Sequence, residues 1–135
     1  MDRISLSQIA EMAGARILQG SPEMLVSSVS KDSRTIQHGD LYVALRGENF
    51  DGNAYASDAL ARGAAAVLLD SAETAHSISS QHPVLLVENG LAALTRLAAA
   101  WRSKLKLKVV GITGSSGKTS TKDFTAAVLG SRLKV

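Results

Sequence analysis

The stretch Gly111-Ile112-Thr113-Gly114-Ser115-Ser116-Gly117-Lys118-Thr119-Ser120 constrains this chain more than any other. It follows the short apolar run Lys108-Val109-Val110 and precedes a run of helical character from Phe124 to Leu129. That setting predicts a strand over 109–112, a glycine-rich turn and a helix. Polyphosphate carries dense negative charge, and backbone N–H groups hold it only where the chain comes very close. Gly114 and Gly117 remove side chains that would block the approach, and they permit positive φ. The amides from Gly114 to Thr119 then converge on an anion at the amino end of the helix, whose dipole favours negative charge. Lys118 adds a mobile positive charge for the outer phosphates, and the Thr119 hydroxyl is placed to ligate Mg²⁺. The strict pattern G-x-x-x-x-G-K-[ST] would put glycine where Ile112 stands, so this is a variant of a phosphate-binding loop.

The rest of the chain is bounded more loosely. A length of 135 residues suits one ordinary domain, or a small domain with a piece of another, and 45% apolar residues are enough for a core. Cysteine is absent, which excludes disulfides and cysteine-ligated metals and fits a reducing compartment. The opening Met1 to Leu6 is too polar for a signal peptide, and Leu91 to Trp101, interrupted by Thr95 and Arg96, is too short to span a bilayer. A net charge of +3 with 4% aromatic residues gives no basic stripe interleaved with aromatics, so nucleic acid is not an expected partner. His38, His76 and His82 lack metal-ligand spacing and read as surface histidines.

Taken in order, Ile9, Met12 and Ala13 recur at helical spacing behind Ser5-x-x-Gln8, a capping box, or Ser7, either of which could cap the helix, with Gly14 as the stop. Strands are expected at 15–18, 26–30, 41–45, 65–69 and 84–87, the last three continuously apolar as in a sheet covered on both faces. The loop from Arg46 to Asn53 is a poor core and a good binding loop, and Asn53 is placed to cap a helix from Ala54 to Arg62. Strand, helix, strand with short turns argues for parallel βαβ pairing. Leu91, Leu94, Leu97, Ala98, Trp101 and Leu105 form the stripe of a helix expected to join two domains, with Trp101 packing between them. The strand at 109–112 has no sequence after it from which to build a sheet. The chain therefore reads as the amino-terminal piece of a longer α/β protein. Residues 1–88 read as one whole small α/β domain, and residues 89–135 as a connecting helix plus the first strand, phosphate loop and helix of a second, parallel-sheet domain.

Thr113 to Ser120, together with Asp32-Ser33-Arg34, Gly39 to Leu45, Gly47-Glu48-Asn49-Phe50-Asp51-Gly52 and Gly63 to Val67, resembles the Mur ligases, which build the peptide stem of the peptidoglycan precursor of the cell wall. Their shared loop has the form G-x-T-G-x-x-G-K-[ST], which accounts for Ile112. The resemblance covers nearly the whole chain. It departs at Asn53, where histidine is frequent, and at Asp123, where glutamate is frequent, and neither position is assigned to chemistry.

What the resemblance implies is a division of labour: an amino-terminal domain grips the uridine diphosphate end of the substrate, and a central domain binds ATP and Mg²⁺. By position, the Lys31 backbone and Ser33 look like uridine contacts, Glu48-Asn49-Phe50 like the loop beside it, and Arg34 like a phosphate partner, although Asp32 and Arg34 read equally well as an ion pair fixing a turn, and Phe50 by itself reads more readily as a core aromatic. Gly114, Ser115, Ser116, Gly117, Lys118, Thr119 and Ser120 would hold ATP, with Lys118 as the catalytic group and Thr119 as the metal ligand. Ser115-Ser116 favours the step that joins D-alanyl-D-alanine to UDP-N-acetylmuramoyl-tripeptide, because the third-residue step more often has Thr-Asn there. That third-residue step, or a folate-polyglutamate ligase, shares the loop chemistry. The implied enzyme is cytoplasmic and monomeric, and these 135 residues alone are expected to be a non-catalytic UDP-sugar-binding module.

Overall fold

The computed structural model describes residues 2–135, and Met1 of the opening stretch lies outside the described residues. The chain divides into one compact unit ending at Leu105 and a second over Lys106–Val135.

The first unit is an α/β layer structure, as expected. Its strands are β1 (Ile4–Ser5), β2 (Arg16–Gln19), β3 (Leu25–Val26), β4 (Ser28–Ser30), β5 (Asp40–Val43), β6 (Ala66–Leu69) and β7 (Val84–Leu86). β1 and β3 form a small antiparallel pair, and the other five make one sheet in the order β2-β7-β6-β5-β4. Within that sheet β4, β5, β6 and β7 run parallel, and β2 closes the edge antiparallel to β7. The helices are α1 (Leu6–Ala13), α2 (Ala56–Ala61), α3 (Ala72–Ser77) and α4 (Gly90–Lys104). α2 and α3 lie in the β5-to-β6 and β6-to-β7 connections, which is the crossover that parallel neighbours require.

The apolar strand runs are explained by burial on two faces. Leu41, Val43, Ala66, Leu68, Leu85 and Val87 join a cluster with Leu6, Ile9 and Ala13 of α1 and Ala93 and Leu97 of α4. Tyr42, Ala44, Val67, Leu69 and Val84 alternate with them and join Ala56 and Ala59 of α2 and Ala75 of α3. Side chains a residue apart on a strand point to opposite faces, so a strand with a helix layer on each side needs an unbroken apolar run. β6, the middle strand, accordingly buries all of its residues.

The capping box forms as read: the Ser5 hydroxyl accepts from the Gln8 N–H and the Gln8 side chain accepts from the Ser5 N–H. α1 ends at Gly14 with φ 68°, and Arg96 of α4 donates from Nε to the Ala13 carbonyl at 3.0 Å. A guanidinium at a helix carboxyl end satisfies an orphan carbonyl and complements the dipole.

Three sequence expectations change. The boundary expected at residue 88 falls after Leu105, because α4 packs on α1 and supplies Ala93 and Leu97 to the core, and Trp101 packs, half-buried, against that same cluster instead of between domains. No strand forms at 109–112, since the described residues offer it no hydrogen-bonding neighbour, and Val109 and Val110 stay 65% and 62% exposed. Asn53 does not cap its helix; Asp51 caps the short 3-10 turn Gly52–Tyr55 that precedes α2, and Asn53 is a buried member of that turn.

In the second unit α5 (Lys118–Gly130) begins directly at the phosphate loop and has no buried residue. Phe124 and Val128 are 74% and 71% exposed.

Candidate functional site

The turn after β4 carries the first set of site residues. Asp32 accepts the Arg34 N–H and so starts a 3-10 turn over Ser33–Thr35, which buries Ser33 and leaves Lys31 and Arg34 exposed. Arg34 also lays its guanidinium along Asp32, Nε to Oδ1 at 2.9 Å and a terminal nitrogen to Oδ2 at 2.8 Å. The Arg34 hydrogen bonds hold the Asp32 carboxyl down at about 2, and the same pairing raises Arg34 further. The ion-pair reading of these residues holds: the turn is fixed by the pair, and one guanidinium nitrogen remains outside it.

A cavity of about 370 Å³ opens on this turn, lined by Lys31, Asp32, Ser33, Arg34, Tyr42, Phe50 and Tyr55. Two cations and three aromatic rings meet there, a composition that matches an anionic ligand bearing a flat ring. Phe50 is 56% exposed, so it is a wall of the cavity and not a core aromatic. Glu48 and Asn49 share its loop and are exposed, but they do not line the cavity. Tyr42 and Tyr55 carry no site signal in the sequence. Tyr42 hides in an apolar strand run; its buried hydroxyl donates to the Gly52 carbonyl at 2.8 Å, and burial pushes its pKa up to about 12. It therefore stays a donor over the whole physiological range and ties the loop to β5.

Behind the loop lies a polar cluster that sequence reading missed. Asp70, at the end of β6, has a side chain 6% exposed, and Arg46 Nε donates to its Oδ1 at 2.9 Å. Asn53 Nδ2 donates to the same oxygen at 2.8 Å, and the Gly90 N–H donates to Oδ2 at 3.1 Å. Asn53 Oδ1 accepts the N–H groups of Asp70 and Ser71, both at 3.2 Å. Arg46 reaches Asp51 as well, at 3.1 Å. Burial pushes the Asp70 carboxyl up, but the donors Asn53, Gly90 and Arg46 outweigh it and hold the group below its ordinary value. Asp51 is likewise lowered, chiefly by the Asn53 side chain and N–H.

A carboxylate with a depressed folded pKa stabilises the fold above its unfolded pKa of about 4, and that contribution disappears as pH falls through the folded value. Chemical denaturation at stepped pH should therefore show the first unit losing stability below about pH 4, with a shallower loss in Arg46→Ala than in the parent chain.

The phosphate loop lies in the second unit. Gly117 caps α5 with φ 72° and no side-chain hydrogen bond, so the first amides of the helix lack a capping partner. A side chain at 117 would meet no atom within 4 Å, so glycine is required there by conformation and not by space. Lys118 and Thr119, with Val110, Ile112 and Lys122, line a depression of about 300 Å³ at this end of the helix. Unpartnered N–H groups, a positive dipole end and an adjacent ammonium make a donor set that fits phosphate, with the Thr119 hydroxyl as the group on hand for a divalent cation. Among the described residues no cluster of His, Cys, Asp or Glu could hold a metal on its own. No described helix is long and apolar enough to cross a membrane.

The profile described as Mur ligase family, catalytic domain, matches residues 25–102, a range that holds the whole cavity and stops short of the phosphate loop. UDP-N-acetylmuramoyl-tripeptide--D-alanyl-D-alanine ligase of Bacillus subtilis is 37% identical over 136 residues, covering 100% of this chain and 29% of its own length. Its Escherichia coli counterpart is 38% identical over 96% of this chain and 27% of its own length. Among solved structures, MurF from Acinetobacter baumannii superposes with a TM-score of 0.85 at 27% identity, over 98% of this chain and 28% of that one. MurF ligase from Thermotoga maritima in complex with ADP superposes with a TM-score of 0.67 at 32% identity, over 79% of this chain and 24% of that one. The chain thus spans less than a third of the length of the relatives it matches.

Proposed function

This chain belongs to the Mur ligase family, and we propose that it is the substrate-gripping front of an ATP-dependent ligase that joins D-alanyl-D-alanine to UDP-N-acetylmuramoyl-tripeptide. The observation that carries the reading is the cavity in which Lys31, Ser33 and Arg34 meet Phe50 and Tyr55 across a loop. A uridine diphosphate presents a flat ring followed by two anionic groups, and that cavity offers aromatic faces and two cations in one place. Relatives that carry the D-alanyl-D-alanine ligase name align over nearly all of this chain, which supports that step over the addition of a third residue.

In this reading the tripeptide carboxylate attacks the γ-phosphorus of ATP, ADP departs, and the resulting acyl phosphate is attacked by the amine of D-alanyl-D-alanine, releasing phosphate. A bare carboxylate is a poor electrophile, and phosphorylation gives it a leaving group. Negative charge builds on the phosphoryl oxygens in the first step. The uncapped amides at the start of α5 and the Lys118 ammonium are the groups of this chain suited to meet that charge. Mg²⁺, held through the Thr119 hydroxyl, would supply Lewis-acid neutralisation of the same oxygens. The enzyme of this reading works in the cytoplasm, where its substrates would be made, and as a monomer.

Isothermal calorimetry on this chain tests the assignment. Heat of binding with UDP-N-acetylmuramoyl-tripeptide is expected, and its absence would remove the reading. No ADP release dependent on tripeptide and dipeptide is expected from these 135 residues, because the second unit has no sheet to hold the phosphate loop in place.

A further inference from the structure

We infer that Asp70 is the positioning residue for the aromatic wall of the nucleotide cavity: its carboxylate holds both ends of the loop from Arg46 to Asn53, and so sets where Phe50 stands. The inference rests on the reading of that cavity as the uridine diphosphate site and extends it to a residue that does not line the cavity.

The crown of the loop has little support of its own. Residues 46–50 are exposed, and the crown's one internal backbone bond runs from the Gly47 N–H to the Phe50 carbonyl at 2.9 Å. The Phe50 ring lies directly on Gly47, where a β-carbon would come within 2.4 Å of it. What fixes the loop is its base. Arg46 enters it and Asn53 leaves it, and both donate to the same oxygen of Asp70. Asp51 is drawn in by Arg46 on one side and by Asn53 Nδ2, at 2.6 Å, on the other.

The second Asp70 oxygen takes the N–H of Gly90, so the loop base is anchored to the first residue of α4. That anchor has no slack: a β-carbon at Gly90 would sit 2.3 Å from the Ala44 carbonyl oxygen, on the strand end that leads into the loop. One nearly buried carboxylate therefore collects donors from three separate segments, and the Phe50 wall is its exposed consequence. A charged acceptor fits that task because charge-assisted hydrogen bonds are the stronger ones.

Asp70→Asn keeps the size of the side chain, removes the charge, and turns an NH₂ toward donors that now find no acceptor. Amide hydrogen exchange by NMR on this chain should then quicken at Gly47 and Gly52, while Ala44 and Val67 in the sheet stay as slow as in the parent. Calorimetry with uridine diphosphate as probe should show affinity about tenfold lower, the equivalent of ~1.4 kcal/mol. Phe50→Ala combined with Asp70→Asn should bind no more weakly than Phe50→Ala alone, since both act through the same ring. Arg46→Ala, at a half-exposed side chain, gives the same loop-limited change in exchange should Asp70→Asn fail to fold.

Equal affinity in parent and Asp70→Asn, additive losses in the double variant, or faster exchange throughout the sheet would each overturn the role given to Asp70. Failure of the parent chain to bind uridine diphosphate would instead overturn the site assignment, and the affinity role of Asp70 with it.

Discussion

Lys118→Ala, made in the full-length protein, is expected under the proposed ligase function to lower turnover about a hundredfold or more, the size of effect seen when one preorganised charge-stabilising group is removed from a reaction centre. Its affinity for ATP should fall at least about tenfold, since a hydrogen bond to a charged group is worth ~1.5–3 kcal/mol. Steady-state kinetics and ATP titration read the two quantities separately. Lys118→Arg should not restore activity, because a planar fork on a different stem cannot replace a compact ammonium close to the loop backbone. Affinity for uridine diphosphate should not change, as Lys31, Arg34 and Phe50 belong to the first unit and Lys118 to the second. Retention of full ATP affinity would remove the phosphate loop from the mechanism.

Leu68→Ala should cost the first unit ~2–5 kcal/mol, the usual range for emptying a buried leucine site. Leu68 is 1% exposed in the middle strand of the sheet and packs in the cluster that includes α1 and α4. Domains have only about 5–15 kcal/mol to lose, so urea denaturation followed by circular dichroism should show the midpoint fall steeply, with partial unfolding without denaturant at the upper end of the range. Leu107→Ala is the matched comparison. Leu107 is 60% exposed in the second unit, and its removal should leave the same transition within ~0.5 kcal/mol of the parent. Similar shifts in the two variants would mean that the second unit shares the cooperative core.

Much of this architecture was legible because local and global signals agree. The runs at 41–45, 65–69 and 84–87 announced strands covered on both faces, and the Ser5-x-x-Gln8 box with Gly14 announced α1. In the phosphate loop the positive φ of Gly117 was legible, since glycine adopts it without steric cost. The places where the reading failed depend on distance in space. Whether α4 joins two domains or completes one is decided by α1, about eighty residues earlier in the chain, and no periodicity in residues 91–105 carries that information. Asn53 looked like a helix cap because it precedes an apolar run; its actual partners, Asp70 and Ser71, are brought to it by the βαβ crossover. Tyr42 reads as one more apolar strand residue until the fold turns its hydroxyl to Gly52.

The packing of α1 against α4 has a consequence for how the molecule comes into being. α1 leaves the ribosome well before the helix that covers it and whose Arg96 closes its carboxyl end, since that helix is synthesised about eighty residues later. Until then the apolar face of α1 and the half of the sheet beneath it stand open to water, a long-range closure of the kind that slows folding and invites premature association. A chain cut at residue 88 would be held indefinitely at that unfinished stage, and one cut at 105 would not.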